Sequence, residues 1–263
     1  MKSTLIEPRI HDDLAEFYTL WRDACLGKKA SESEEVKFLL DIFASSSKIK
    51  TIIDLGGSAG IHAIPLVKHG FDVTLLDKSK IALNIAKRSC SQLKLVNESF
   101  EAINLNQNFD SSICMMSSHT YLLDNIDREL FYDWVKKYTN DLVVFDQLNI
   151  HRLPKSYSDN CQAEDRHFLF NVLREWHFEE DLLHTSFVYE FIDKASEATK
   201  IINDAQVQRF LSIEELIKYM GKQWRVVALL GDFNLKQAFD QENSPRMIAV
   251  FKRVSSKQTQ ILT

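Results

Sequence analysis

Glycine and proline are scarce here: 263 residues hold only seven and four of them, against ordinary usage of about 7% and 5%. That excludes a collagen-like or Pro/Gly-rich low-complexity chain, and it gives weight to any place where glycines gather. Four of the seven stand at Gly56, Gly57, Gly60 and Gly70. Cysteine is equally sparse. Cys25, Cys90, Cys114 and Cys161 form no CxxC and share no zinc-like spacing with histidine, so neither a disulfide framework nor a metal site is expected, and a reducing compartment fits. No uninterrupted apolar run reaches the roughly 18 residues of a membrane span. The beginning of the chain lacks the charged-then-apolar pattern of a secretory signal. A cytoplasmic protein without membrane contact is the resulting expectation. Charge of one sign is missing too: 32 Lys and Arg stand against 37 Asp and Glu, a formal balance of −5. With no basic block, nucleic acid is not an expected partner.

What is present is an ordinary globular composition, 45% hydrophobic and 26% charged, with enough chain to bury one large core. Apolar residues at helical spacing (Leu14, Phe17, Tyr18, Trp21; then Val36, Leu39, Leu40, Phe43) predict helices over 12–26 and 31–44, the second capped by Ser31 with Glu34 three residues on. After the plain connector "ASSSK", short apolar runs alternate with helical patterns. Strands are predicted in the run "IKTIIDLGG" and near 71–76, 93–96, 111–116 and 141–145, with helices over 60–69, 80–90 and 127–138. Such alternation predicts a parallel sheet covered by helices on both faces. The pattern stops near Asp146. Aromatic and β-branched residues with period-two stretches then predict an antiparallel insertion, followed by a helix over 212–220 whose Ser212 and Glu215 form a capping box. Two last strands, 224–230 and 246–254, return to the sheet, and the segment from 255 on reads as a frayed tail.

The segment "DLGGSAG" puts Asp54 at the end of the first strand and Gly56, Gly57 and Gly60 where the strand must turn into a helix. Glycine removes the Cβ that would keep a ligand off the backbone, and helix-start amides supply donors. The dinucleotide pattern G-x-G-x-x-G fails, because Ser58 and Ile61 stand where it demands glycine, and no Walker lysine follows. The segment resembles motif I of class I S-adenosylmethionine-dependent methyltransferases, D/E-x-G-x-G-x-G, with Ser58 in place of the middle glycine. Asp77, ending the second strand in "VTLLDKS", stands where that family keeps the carboxylate that accepts both ribose hydroxyls. Taken alone, Asp77 equally suits a helix cap. The tail "RFLSIEELIKYM … WRVVALLGDFN … SPRMIAVFKR" is similar to the end of small-molecule members of the family. The matching residues include Arg209, Phe210, Glu215, Gly231, Asp232, Phe233, Ser244, Pro245 and Arg246.

The resemblance implies a Rossmann-like α/β fold: seven mostly parallel strands, one antiparallel near an edge, with N-terminal helices and the antiparallel insertion as a substrate lid. It implies domains at 1–46, 47–160, 161–210 and 211–263, and S-adenosylmethionine as cofactor. The implied cofactor residues are Asp54, Gly56, Gly57, Ser58, Gly60, Asp77, Lys78, Phe100 and Ser117, with Glu98 or Ser99 near the adenine amino group. Ligands in such sheets lie beyond the strands' carboxyl ends, where "SSHTYLLDN" offers His119 as a proton acceptor and Tyr121 to orient it; the alternatives are that His119 caps backbone groups in the loop and Tyr121 packs over the cofactor as a wall. Phe17, Tyr18, Trp21, Trp176 and Tyr189 are candidate acceptor walls, with core packing as the alternative for each. Arg209 is a candidate for an acceptor carboxylate or for a surface ion pair. His11, His62, His69, His151, His167, His177 and His184 show no ligand spacing and read as ordinary histidines. The expected activity is methyl transfer to nitrogen or oxygen of a small molecule. A peptide or protein acceptor, a non-catalytic sensor or assembly factor and, more remotely, a nicotinamide oxidoreductase are the alternatives. Monomer and homodimer are not distinguished.

Overall fold

The computed structural model describes residues 9–26, 34–44, 46 and 48–254. Ser31, the expected helix cap, parts of the connector before the first strand and the expected frayed tail lie outside the described residues. A seven-stranded sheet runs in the order β10-β11-β5-β4-β1-β2-β3. Its strands are β1 (Thr51–Leu55), β2 (Asp72–Leu76), β3 (Lys94–Val96), β4 (Phe109–Cys114), β5 (Thr139–Leu148), β10 (Trp224–Leu230) and β11 (Arg246–Arg253). Pairing is parallel from β3 through β5, whereas β11 runs antiparallel to both β5 and β10. The one reversed strand near an edge is thus present.

Helices cover both faces, which is why β1 reads as a nearly continuous apolar run rather than an alternating one. On one face α2 (Glu34–Ala44) and α3 (Ala63–Lys68) pack Phe38, Leu39, Ile42 and Leu66 against Ile52 and Val144. On the other α5 (Asn125–Tyr138) and α6 (Ile213–Met220) pack Phe131, Tyr132, Val135 and Leu216 against Ile53, Val143 and Phe251. Helix starts are capped by side chains that accept orphan amides: Ser79 for α4 (Lys80–Ser89), Asp124 for α5, and Ser212 with Glu215 for α6, the reciprocal capping box expected from sequence.

The chain winds from β1 outward to β3, then crosses back to β4 on the other side of β1. Such a reversal leaves a crevice beyond the strands' carboxyl ends. Above it sits a second, four-stranded antiparallel sheet: β6 (Ser156–Glu164), β7 (Phe168–Glu179), β8 (Leu182–Asp193) and β9 (Thr199–Arg209). It begins at Ser156, ahead of the boundary expected at 161. Strand β6 is polar and mostly exposed, so no apolar alternation announces it. The expected N-terminal unit divides. Helix α1 (Tyr18–Leu26) and the turns before it pack Ile10, Leu14, Tyr18 and Leu20 on Phe170, Val172, Phe187 and Tyr189 of the insertion, while α2 belongs to the main core. A buried ion pair, Arg22 Nη2 to Glu35 Oε2 at 3.1 Å, links the two helices. Among the described residues no helix is long and apolar enough to cross a membrane.

Candidate active site

The loop leaving β1 floors a cavity of about 650 Å³, inside the roughly 300–1,000 Å³ of small-ligand sites. Gly56 has φ +71°, and a Cβ there would come within 2.9 Å of Phe100 and Ser118. A Cβ on Gly57 would collide with Asp54 and Leu75. Ser58 keeps a left-handed backbone, φ +51°, which shows why glycine suits the middle position of the motif and what serine costs there. The Ser58 hydroxyl is buried, lines the cavity and has no hydrogen-bond partner.

Asp77 ends β2 and organises this loop. Its Oδ2 accepts the amide of Ser58 and its Oδ1 the amide of Ser79, both at 2.8 Å. The cap of α4 is therefore Ser79, not Asp77. Burial raises the pKa of Asp77, and the two amides oppose the shift. Asn97, unnoticed in the sequence, holds the backbone oxygens of Asp77 and Lys78 with its Nδ2, at 3.1 and 2.8 Å. Asp54 is 1% exposed, lines the cavity and has no hydrogen-bond partner on either oxygen. Burial, reinforced by the charge of Asp77, pushes its pKa up to about 7, with the nearby amide of Ala63 opposing.

Lys78, Glu98, Ser99 and Phe100 also line the cavity. One oxygen of Glu98 already accepts the amide of Asn104, which leaves Ser99 with the less committed side chain. Gly60 lies behind the wall, where its φ of +85° turns the chain toward α3 against Ile64. Ser117 does not face the cavity: with Met116 it forms a left-handed pair, φ +54° and +64°, and its Oγ accepts the amide of Leu148. Ser118 takes the place expected of it, donating to Met115 O and Gly56 O. Met116 is held from below by Asp146, whose Oδ2 accepts its amide at 2.8 Å and whose carboxylate pairs with Arg246.

The acceptor end differs more from expectation. Tyr121 lines the cavity and donates to Gln206 Oε1 at 2.7 Å, and burial raises its pKa. His119 does not line it. It is 1% exposed, packs on Phe145 and has Nδ1 2.9 Å from the Tyr132 hydroxyl. Burial lowers its pKa to about 3, so it is a neutral core residue without access to a ligand. His11, set aside in the sequence, stands at the cavity instead, Nε2 3.5 Å from the Tyr121 hydroxyl and its ring 5.3 Å from that of Tyr18. Burial, with Lys78 adding to it, lowers its pKa to about 4. Neighbouring backbone fixes it: the amides of Arg9 and Ile10 donate to Asp204 on β9, and Asp12 accepts from the Ser79 hydroxyl at 2.7 Å. The N-terminal segment thus spans from the insertion to the loop after β2. His62 is a second missed histidine, buried at the cavity with Nε2 unpartnered and its pKa lowered to about 4, mainly by burial.

Of the expected acceptor walls only Tyr18 lines the cavity. Trp21 stacks behind it, and Phe17 packs on Phe168 and Phe191. Trp176 stacks on Tyr157 at the far edge, and buried Tyr189 donates to Asp204. Arg209 is committed to Asp181 and Glu215. His177 and His184, apart in sequence, face each other across β7 and β8, and His184 reaches the cavity.

No family model matches the chain. A glycine/sarcosine/dimethylglycine N-methyltransferase of Actinopolyspora halophila is 26% identical over 151 residues, covering 53% of this chain and 26% of that one. The chain therefore spans about a quarter of that relative. A glycine/sarcosine N-methyltransferase of Aphanothece halophytica is 26% identical over 191 residues, 68% of this chain and 69% of that one. Among solved structures, an S-adenosylmethionine-dependent methyltransferase from Clostridium acetobutylicum superposes with TM-score 0.77 at 16% identity, covering 93% of this chain and all of that one. The sugar N-methyltransferase KedS8 from Streptoalloteichus gives 0.73 at 15% identity and 95% coverage of each. The chain thus has the fold of these S-adenosylmethionine-dependent methyltransferases, and its sequence is similar to N-methyltransferases.

Proposed function

We propose that this chain methylates a nitrogen of a small amine, with S-adenosylmethionine as donor. The observation that carries the reading is Asp54: a carboxylate almost wholly buried, without a hydrogen-bond partner, opening on a cavity whose floor is a glycine loop. A buried acid without a counter-charge is costly, and a cationic ligand relieves that cost. The residues present suit this donor. Gly56 and Gly57 let the loop lie against Phe100, Ser118, Leu75 and Asp54 where a Cβ would collide, Asp77 keeps acceptor capacity for sugar hydroxyls beyond its two amides, and Ser99 with Phe100 bounds the base end. When bound, S-adenosylmethionine supplies an electrophilic methyl group on a sulfonium.

The chain's own residues then have three tasks: align the acceptor, exclude water, and take up or relay a proton. Tyr18 and Tyr121 wall the acceptor side. His11, neutral at ordinary pH, and the Tyr121 hydroxyl, anchored by Gln206, form a hydrogen-bonding pair able to orient an amine lone pair and accept its proton. Among the described residues no arginine lines the cavity, and Arg209 is tied to two acids. A carboxylate-bearing acceptor such as glycine therefore meets no guanidinium, and an amine without a carboxylate, an amino sugar for example, suits the cavity better. Nitrogen is favoured over oxygen because an amine attacks through a lone pair it already carries, whereas a hydroxyl must first be ionised and His11, its pKa lowered to about 4 by burial, is a weak base for that.

The test is direct. S-adenosylhomocysteine should raise the melting temperature where NADH does not, and labelled methyl should pass to amino sugars and other neutral-bodied amines in preference to glycine. Stabilisation by NADH alone overturns the donor, preference for glycine overturns the acceptor class, and tight binding without transfer to any acceptor points to a sensor.

A further inference from the structure

The tip of the β7–β8 hairpin brings His184 beside His177 and Glu179. His177 and His184 are directly opposed across the antiparallel pair, their rings nearly parallel, 12° apart in plane and 5.2 Å between centroids. Glu179 lies two residues beyond His177, so strand alternation returns it to the same face. One ligand atom from each of the three falls within 4.8 Å of the others. The Nε2 of His184 is buried, stands 3.5 Å from Oε2 of Glu179 and closes no hydrogen bond. A buried ring nitrogen beside a carboxylate, with a second imidazole stacked on its ring, is incompletely satisfied as it stands.

We infer that His177, Glu179 and His184 bind a divalent transition-metal ion, zinc above all, at the rim of the cavity. Two imidazoles and one carboxylate select zinc or a first-row neighbour over magnesium or calcium, which take all-oxygen ligand sets. Zinc bonds of about 2.0–2.1 Å place tetrahedral ligands roughly 3.4 Å apart. The three atoms need to close by little more than an ångström, and Glu179, 72% exposed, is free to turn. Three protein ligands leave the fourth position for water or a ligand group. Because His184 and Leu182 line the cavity, the ion cross-links the hairpin tip and stiffens one wall of the acceptor side. This site does not depend on the methyltransferase reading.

The experiment uses the full chain, stripped with EDTA and titrated with zinc chloride by calorimetry, with visible absorption of added Co²⁺ as a second readout. One ion per chain and the intense absorption of tetrahedral Co²⁺ are expected. His177→Ala and Glu179→Gln should each weaken zinc at least about tenfold, since even outer-shell partners of a metal are worth that much. Neither residue lines the cavity, so S-adenosylhomocysteine affinity serves as the folding control. His69→Ala should leave the titration unchanged. Absence of stoichiometric zinc binding overturns the proposal, as does undiminished binding in His177→Ala, which assigns the ion to other residues.

Discussion

The carboxylate of Asp77 and the amide of Ser58 meet at 2.8 Å, so the acid that ends β2 shapes the loop that leaves β1. The same carboxylate holds Ser79, whose hydroxyl reaches Asp12 in the N-terminal segment. Glycine loop, Asp77 and the N-terminal segment are one hydrogen-bonded unit.

Asp77→Ala removes the acceptor for two backbone amides and for the sugar together. Affinity for S-adenosylhomocysteine should fall at least about 100-fold, roughly 2.7 kcal/mol, as expected for losing more than one charge-assisted hydrogen bond. Asp77→Asn, which keeps one acceptor oxygen, should fall less. Calorimetry on both variants measures this, and unchanged affinity removes Asp77 from the sugar role.

Asp54 gives a pH signature. Its folded pKa, raised from 3.8 to about 7, favours the neutral acid, so its contribution to stability is present below the unfolded value and is lost as pH rises through 7. A cationic ligand beside it pulls the pKa back down. Binding of S-adenosylmethionine near pH 7 should release about half a proton, seen as calorimetric heats that vary with the buffer's ionisation enthalpy. Asp54→Asn should abolish that dependence; its persistence in the variant assigns the proton elsewhere.

Ser58→Gly should stabilise the protein by about 1 kcal/mol, because glycine occupies the left-handed region without the Cβ penalty. Ser58→Val, β-branched at φ +51°, should lower the melting temperature. A destabilised glycine variant would show that the unpartnered serine hydroxyl matters more than the backbone.

His119 and His11 should separate in their effects. His119→Ala opens a cavity beside Phe145 and leaves the Tyr132 hydroxyl unpaired, a loss of about 2–4 kcal/mol. The neutral His119 ring contributes stability above pH 6.5 that is lost as pH falls toward 3, so this variant should also show a shallower acid transition in thermal melts. His11→Ala should lower turnover with little change in melting temperature. A stable His119→Ala protein that has lost the acid limb of its pH–rate profile would restore His119 as the proton acceptor.

The alternating strands and helices, the Ser212–Glu215 capping box and the bare turn after β1 were legible because each rests on periodicity or on backbone chemistry within a few residues. Tyr18, Tyr121 and most of the residues around the glycine loop line the same cavity. His119 and His11 exchanged roles for a reason no local pattern carries. The left-handed pair Met116–Ser117 rotates the loop after β4, sending His119 inward to Tyr132 and Ser118 outward, while Asp204 and Ser79, far along the chain, pull His11 over the cavity. The same holds for His177 and His184, which become neighbours only through strand register.

The sequence by itself determined the element order, the sheet class and the glycine–acid pairing, because hydrophobic period and steric need act between near neighbours. Which histidine meets a ligand, which aromatic becomes a wall and which acid is left buried without a partner were decided only by tertiary packing, since burial and long-range hydrogen bonds exist only once distant segments share one interior.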